Sequence, residues 1–258
     1  MLYRVRAYLK FLIKSSNEHG VHSPFVFDLI TKCFYGNTSL ELENKYKNYF
    51  NSLINSEEVV EIKDFGAGSK VFKSNVRSVS KMTKVASLNK RNALLLMRLM
   101  AYLNLKNVLE LGTSMGVATA SMAMAKPNSK ITTLEGCKNI ANVARNTFDK
   151  FQIENVEIIV GEFSKTLSSV LEKNKYDLIY FDGNHTKEAT LNYFQKAINN
   201  VHNDSLFIFD DIHWSIGMEE AWEEIKKHPK VKVTIDTFQW GFVFFRREQE
   251  KEHFIIRL

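Results

Sequence analysis

Three aspartates stand where short apolar runs end: Asp182 after Tyr176–Phe181, and Asp210 with Asp211 after Leu206–Phe209. If those runs are adjacent parallel strands, the three carboxylates converge on one crevice, where hard oxygen donors suit Mg²⁺ or a similar divalent cation. Without a cation they would repel one another. His185 follows Asp182 by three residues and His213 follows Asp211 by two. A neutral imidazole in either place can act as general base or as a further ligand. It can equally cap the next helix or lie on the crevice rim. Upstream, Glu110-Leu111-Gly112-Thr113-Ser114-Met115-Gly116 is a glycine turn with a strand-like run before it and a small-residue helical run after it, the context a nucleotide loop needs. Glu135 ends the next apolar run, 23 residues after Gly112. A carboxylate there can accept both ribose hydroxyls of an adenosine, although glutamates at strand ends are also common caps. The glycines are spaced G-x-x-x-G rather than G-x-G-x-x-G, the spacing that lets the backbone hug a pyrophosphate. The expected ligand is therefore an adenosine without a pyrophosphate, and a nicotinamide-dependent dehydrogenase is disfavoured.

These residues must be carried by a parallel sheet. After Lys106 the chain alternates short apolar runs with helix-period segments, the pattern of βαβ units. Strands are expected at 107–111, 130–135, 156–160, 176–182, 205–210, 231–237 and 241–246. One apolar stripe per helix is expected, as in Ile140, Val143, Ala144 and Phe148, or Met218, Ala221, Trp222 and Ile225. Only Phe238-Gln239-Trp240 separate the last two strands, too few for a helical crossover, so these two are expected to be antiparallel and to end the sheet. The first hundred residues carry helical signals and no strand pattern of comparable strength. The expectation is an α/β fold, a Rossmann-like doubly wound seven-stranded sheet with a C-terminal antiparallel hairpin, over residues 96–258. An N-terminal helical cap over residues 1–95 precedes it.

The run LELGTSMGVATASMA, followed by ITTLEG, VEIIVGEF, YDLIYFDGNH and LFIFDDIHW, resembles the class I S-adenosylmethionine-dependent methyltransferases, and within them the O-methyltransferases of the catechol and caffeoyl-CoA type. The similarity covers roughly residues 95 to 246. It implies that Glu110, Gly112, Thr113, Ser114 and Gly116 shape the pocket for the methionine end of S-adenosyl-L-methionine. Glu135-Gly136 would meet the ribose, Gly161-Glu162 would flank the adenine, and Asp182 would border the cofactor as well. Metal-dependent members place two Asp and one Asn as ligands, so Asp182, Asp210 and Asp211 are the implied set, with Asp211 where Asn is usual. The family's D-A-D-K becomes Asp182-Gly183-Asn184-His185, which puts His185 at the place of a lysine associated with catalysis. Asp182, His185 and Asp211 are the implied catalytic groups, and His213 and Trp214 the implied substrate contacts. The implied reaction is O-methylation of a small-molecule hydroxyl, by direct displacement at the sulfonium methyl with a divalent cation assisting.

The 258-residue chain is 45% hydrophobic and 25% charged, which excludes disorder and fibrous repeats. Cys33 and Cys137 are the only cysteines, too few for a disulfide scaffold or a Cys-rich metal site, and a reducing cytoplasm is expected. No apolar run is long enough to span a membrane; the longest, 93–105, is broken by Arg98. The first fourteen residues scatter Arg4, Arg6, Lys10 and Lys14 among apolar ones, unlike a signal peptide, and read as a mature N-terminus. Between residues 65 and 109 there are nine cations and no acid. Such a segment could attract RNA, and an RNA-modifying methyltransferase is one alternative; a solvated basic face is the commoner outcome. A non-catalytic adenosine-binding protein is another, and a homodimer is compatible with either. A second glycine turn, Asp64-Phe65-Gly66-Ala67-Gly68-Ser69, has no ribose-binding acid after it and reads as a structural turn or flap. Its Asp-Phe-Gly is three letters of a kinase signature whose other parts are missing. In HGVHSPF, Ser23-Pro24 marks a helix start more readily than a substrate lid.

Overall fold

The computed structural model describes residues 2–62 and 74–258. The glycine turn at 64–69, and Lys70 and Lys73 of the basic segment, lie outside the described residues. The chain begins with α1 (Leu2–Lys14) and α2 (Pro24–Asp28), which runs into a π-helical turn at Leu29–Phe34. Pro24 occupies the first turn of α2, as the Ser-Pro pair predicts. Then come α3 (Leu40–Ile54), β1 (Val59–Glu61), β2 (Val76–Ser78), α4 (Val79–Ala86), α5 (Lys90–Tyr102), β3 (Asn107–Leu111) and α6 (Val117–Ala125). They are followed by β4 (Lys130–Glu135), α7 (Lys138–Lys150), β5 (Val156–Val160), α8 (Phe163–Lys173), β6 (Leu178–Phe181) and α9 (Lys187–Ala197). The chain closes with β7 (Leu206–Asp210), α10 (Ile216–Lys227), β8 (Val233–Asp236), β9 (Trp240–Phe244) and β10 (Glu252–Ile255). Side-chain oxygens start several helices. Ser39 accepts from the Leu42 amide at α3, Asn89 from Asn92 at α5, Thr186 from Ala189 at α9 and Ser215 from Met218 at α10.

Two compact units divide the chain. The first comprises Met1–Tyr35 and Leu167–Leu258. Its strands lie in the order β10-β8-β9-β7-β6. β6 and β7 are parallel, β9 is antiparallel to both β7 and β8, and β10 is parallel to β8. Phe207, Phe209, Trp222 and Phe242 are fully buried around these strands. Gly241 has no room for a side chain, since a Cβ there would sit 2.7 Å from the Trp222 ring.

The second unit is Gly36–Thr166. β3, β4 and β5 are parallel in that order, and the register sets Glu110 beside Thr133 and Leu111 beside Leu134. α5 and α6 bury Leu95, Leu96, Leu99, Met100, Ala120 and Met122, among others, as an apolar layer. β1 and β2 pair antiparallel as a separate two-stranded sheet.

The mostly parallel main sheet and its flanking helices match the expected α/β class, with eight strands in place of seven. The additional strand is β10. None of its four residues is fully buried, and they follow the charged stretch 246–251, so no apolar run announces them. The antiparallel β8–β9 pair is present, but β10 pairs beyond β8, so that pair does not end the sheet. β1 and β2 were likewise not expected, each being three residues long. No helix among the described residues is long and apolar enough to cross a membrane.

Candidate functional site

The second unit holds the glycine turn. Gly112, Ser114 and Gly116 have φ of 109°, 48° and 71°, so the chain leaves β3 through three left-handed residues and enters α6 at Gly116. Only glycine fits at 116, where a Cβ would lie 2.6 Å from the Phe148 ring and 2.7 Å from the Tyr49 hydroxyl. That hydroxyl donates to the Met115 carbonyl at 3.0 Å and fixes the turn from α3. Glu135, the last residue of β4, ties the turn to the next strand end. Its Oε2 accepts from the Ser114 amide at 3.0 Å and its Oε1 from the Cys137 amide at 2.9 Å. Gly161, at φ 154°, donates its amide to the Glu135 carbonyl at 2.8 Å. Gly136 and Glu162 are half-buried, and Glu162 pairs with Lys165 at 3.2 Å. Glu110, Gly112, Thr113, Ser114, Gly116, Glu135, Gly136, Gly161 and Glu162 therefore belong to one unit and the ends of three neighbouring strands.

Glu110 differs from the others in being completely buried. The Thr133 hydroxyl donates to its Oε2 at 2.6 Å, the Thr119 hydroxyl donates to the same oxygen, and Oε1 is buried without a hydrogen-bond partner. Burial pushes its carboxyl up to about 7; the two hydroxyls oppose that and the Glu135 charge adds to it. A residue in this state supports the turn from beneath rather than lining a pocket. Thr113, its hydroxyl 2.7 Å from that of Thr133, joins the same buried network.

The first unit holds the acidic cluster. One ligand atom each from Asp182, His185 and Asp210 lie within 4.8 Å of one another. Opposite ligands of a divalent cation, at bond lengths of about 2.0 to 2.6 Å, are separated by about 4 to 5 Å, so the three donors fit around one ion. Asp182 also accepts from the Tyr180 hydroxyl at 3.2 Å, and Asp210 accepts from Gln239 Nε2 at 3.4 Å. Burial and then the charges of Asp182 and Asp211 hold the Asp210 carboxyl well above the usual range. A cation would relieve that mutual repulsion. Asp211, expected among the ligands, is not part of this three-residue group, while His185 is. Asp211 and Asn184 both adopt left-handed backbone, at φ 54° and 52°. Asn and Asp tolerate that region better than most residues, so each supplies a sharp exit from its strand.

His213 and Trp214, read as substrate contacts, are held by other parts of the first unit. His213 Nε2 lies 2.8 Å from Asp236 Oδ2 and its ring stacks on Phe238 at 5.3 Å. A carboxylate only accepts, so Nε2 carries the proton; Nδ1 is buried without a hydrogen bond, 4.0 Å from Glu219. Arg4 of α1 lies 4.6 Å over the Trp214 ring. Asp236 and Glu219 are the residues that sequence reasoning missed. The one clue was an acid at the end of a strand, as at Asp182 and Asp210. In the basic segment, Lys90 pairs with Glu43 at 2.8 Å and Arg98 donates to the Thr38 hydroxyl.

A mostly parallel sheet with a glycine turn after β3, an acid ending β4 and an antiparallel β9 is the fold of the class I S-adenosylmethionine-dependent methyltransferases. Residues 109–212 match the family described as a methyltransferase domain. Over 111 residues the chain is 32% identical to the catechol O-methyltransferase of Niastella koreensis. That stretch is 42% of this chain and 49% of the relative, so the chain spans about half the length of the curated relative it matches. Among solved structures, a methyltransferase of Podospora anserina bound to S-adenosylhomocysteine aligns with a TM-score of 0.61 at 10% identity, covering 88% of this chain and 97% of that one. An O-methyltransferase of Bacillus cereus in complex with S-adenosylhomocysteine aligns with a TM-score of 0.54 at 17% identity, covering 85% and 93%.

Proposed function

We propose that this protein is an S-adenosylmethionine-dependent methyltransferase that transfers the methyl group to a hydroxyl of a small molecule, assisted by a divalent cation. The observation that carries the cation-assisted reading is the grouping of Asp182, His185 and Asp210 within one ion's reach. The methyl-donor part is supported by the matched methyltransferase domain and by Glu135, whose carboxylate closes the glycine turn from the end of the neighbouring strand.

In the reaction the acceptor oxygen attacks the methyl carbon in line, the carbon–sulfur bond breaks, and the sulfonium becomes a neutral thioether. The electrophile arrives activated, so the protein's main task is alignment. Gly112, Thr113, Ser114 and Gly116 receive the methionine end, Glu135 with Gly136 the ribose, and Gly161 with Glu162 the adenine edge. Asp182, His185 and Asp210 would hold the cation, which supplies Lewis acidity to lower the acceptor hydroxyl's pKa. An imidazole beside two carboxylates moves the preference from Mg²⁺ toward a transition ion such as Mn²⁺. The hydroxyl proton passes to a side-chain oxygen of Asp211, the carboxylate of this loop outside the three-donor group. His213 and Trp214 border the acceptor. Cys33 and Cys137 are buried and form no disulfide, in keeping with a cytoplasmic location.

Calorimetric titration with S-adenosylhomocysteine, with NAD⁺ for comparison, tests the donor site. Micromolar binding of S-adenosylhomocysteine alone, lost in Glu135→Ala, is the expected result. No binding, or preference for NAD⁺, would sink the reading. A catechol-type acceptor screen with and without chelator then separates cation-assisted transfer, abolished by the chelator, from transfer that needs no cation.

A further inference from the structure

α1 has two sides with different fates. On one side Ala7 and Phe11 are buried, and the Tyr8 and Phe11 rings pack on Phe238 at 4.9 and 5.5 Å. Arg4 covers Trp214, and Tyr3 and Lys10 donate to Glu219. These contacts fix the helix firmly to the first unit. On the other side stand Leu2, Val5, Leu9 and Ile13, which are 81, 53, 55 and 85% exposed. Their spacings of three, four and four residues put them on a single helical stripe. Scattered exposed apolar residues are ordinary, but a full-length stripe on one helix is not.

Charge says what covers it. α1 carries Arg4, Arg6, Lys10 and Lys14 and no acid. At 100° per residue, Arg6 and Lys10 border the stripe along one edge. Arg6 and Lys14 make no ion pair among the described residues, which leaves their charge available. A symmetric contact with a second copy would set this all-cationic helix against itself. An anionic lipid surface meets both features, because its headgroups match the cations and its acyl boundary takes the stripe. At about 1.5 Å per residue the thirteen-residue helix is about 20 Å long, too short to cross the bilayer core and suited to lying in its surface. We infer that α1 docks this protein on anionic membrane surfaces, with Leu2, Val5, Leu9 and Ile13 inserted at the headgroup level and Arg6, at the edge of the stripe, on the phosphates.

Co-sedimentation of the full chain with phosphatidylcholine vesicles, with or without an equal part of phosphatidylglycerol, tests this. Binding to the phosphatidylglycerol vesicles alone is expected, weakening as salt is raised. Leu9→Glu with Ile13→Glu should abolish it, and Arg6→Ala should weaken it about fivefold. All three positions are exposed, so the thermal midpoint and circular dichroism should stay as in the unchanged protein. If Leu9→Glu with Ile13→Glu perturbs folding, Leu2→Ser with Val5→Ser gives the same readout from the other end of the stripe. Failure to bind anionic vesicles, or binding unaltered by these stripe substitutions, would overturn the inference. So would a lipid-free dimer that the stripe substitutions dissolve, which would assign the stripe to a second copy.

Discussion

Glu110 with Glu135 and Asp182 with Asp210 are two pairs of acids near strand ends, and their surroundings are opposite. In the first pair the protein supplies the donors: two backbone amides meet Glu135 and two threonine hydroxyls meet one oxygen of Glu110, while burial, joined by the Glu135 charge, raises the Glu110 carboxyl to about 7. In the second pair Asp210 faces burial and two further acids, Asp182 and Asp211, with His185 acting against them. Acids satisfied by the fold can be structural; acids set against each other need something brought from outside. The first pair therefore builds a rigid turn, and the second reads as a receptacle for a cation.

The largest expected effect falls on the second pair. Asp182→Ala should reduce methyl transfer about a thousandfold, about 4 kcal/mol in the barrier, and should abolish the rise in thermal midpoint that Mn²⁺ gives the unchanged protein. An absent Mn²⁺ effect in the unchanged protein would erase the contrast between the pairs. Next comes Glu135→Ala, which strips the acceptors from the Ser114 and Cys137 amides and should cost about 3 kcal/mol in urea unfolding, besides S-adenosylhomocysteine affinity. If stability were unaltered, the turn would not depend on that carboxylate.

Glu110 sharpens the comparison through pH. Its carboxyl rises from about 4.5 to about 7, so between those values the folded protein keeps a proton that the unfolded chain releases. Stability then falls as pH rises through this window, by up to about 3 kcal/mol, and Glu110→Gln should flatten the dependence while leaving the Mn²⁺ response intact. Unfolding curves at pH 5 and pH 8 for both proteins measure this. The smallest effect expected is for Thr119→Val, about 1 kcal/mol for one lost hydrogen bond, together with a further upward move of the Glu110 titration.

The sheet could be read from the chain wherever strands are continuous apolar runs, as in 107–111, 130–135 and 206–210. It could not be read where strands are short or lie among charges. β10 and the β1–β2 pair are three or four residues long and show no apolar run of their own. The site divides similarly. Glycines at the turn and acids at strand ends are local signals, so Gly112, Gly116, Glu135, Asp182 and Asp210 could be picked out by position. What each side chain meets depends on register. Thr133 lies beside Glu110 only because β3 and β4 pair with that offset, and Asp236 reaches His213 from a strand 25 residues later than Asp211. Sequence position thus suggested a pocket role for Glu110 and a substrate role for His213, whereas the fold gives each a buried partner first.

The hydroxyl of Tyr49 on the Met115 carbonyl has a consequence for how the turn breathes. α3 and the glycine turn share a buried hydrogen bond, and the ring shuts off the space at Gly116, so the turn amides should exchange with solvent only when α3 detaches. The helices ahead of β3 are then not one interchangeable attachment. α3 belongs to the glycine turn and cannot diverge without loosening it, whereas α1 and α2 belong to the unit with the acidic cluster. A chain started at residue 96 would carry every glycine of the turn and lack the α3 brace.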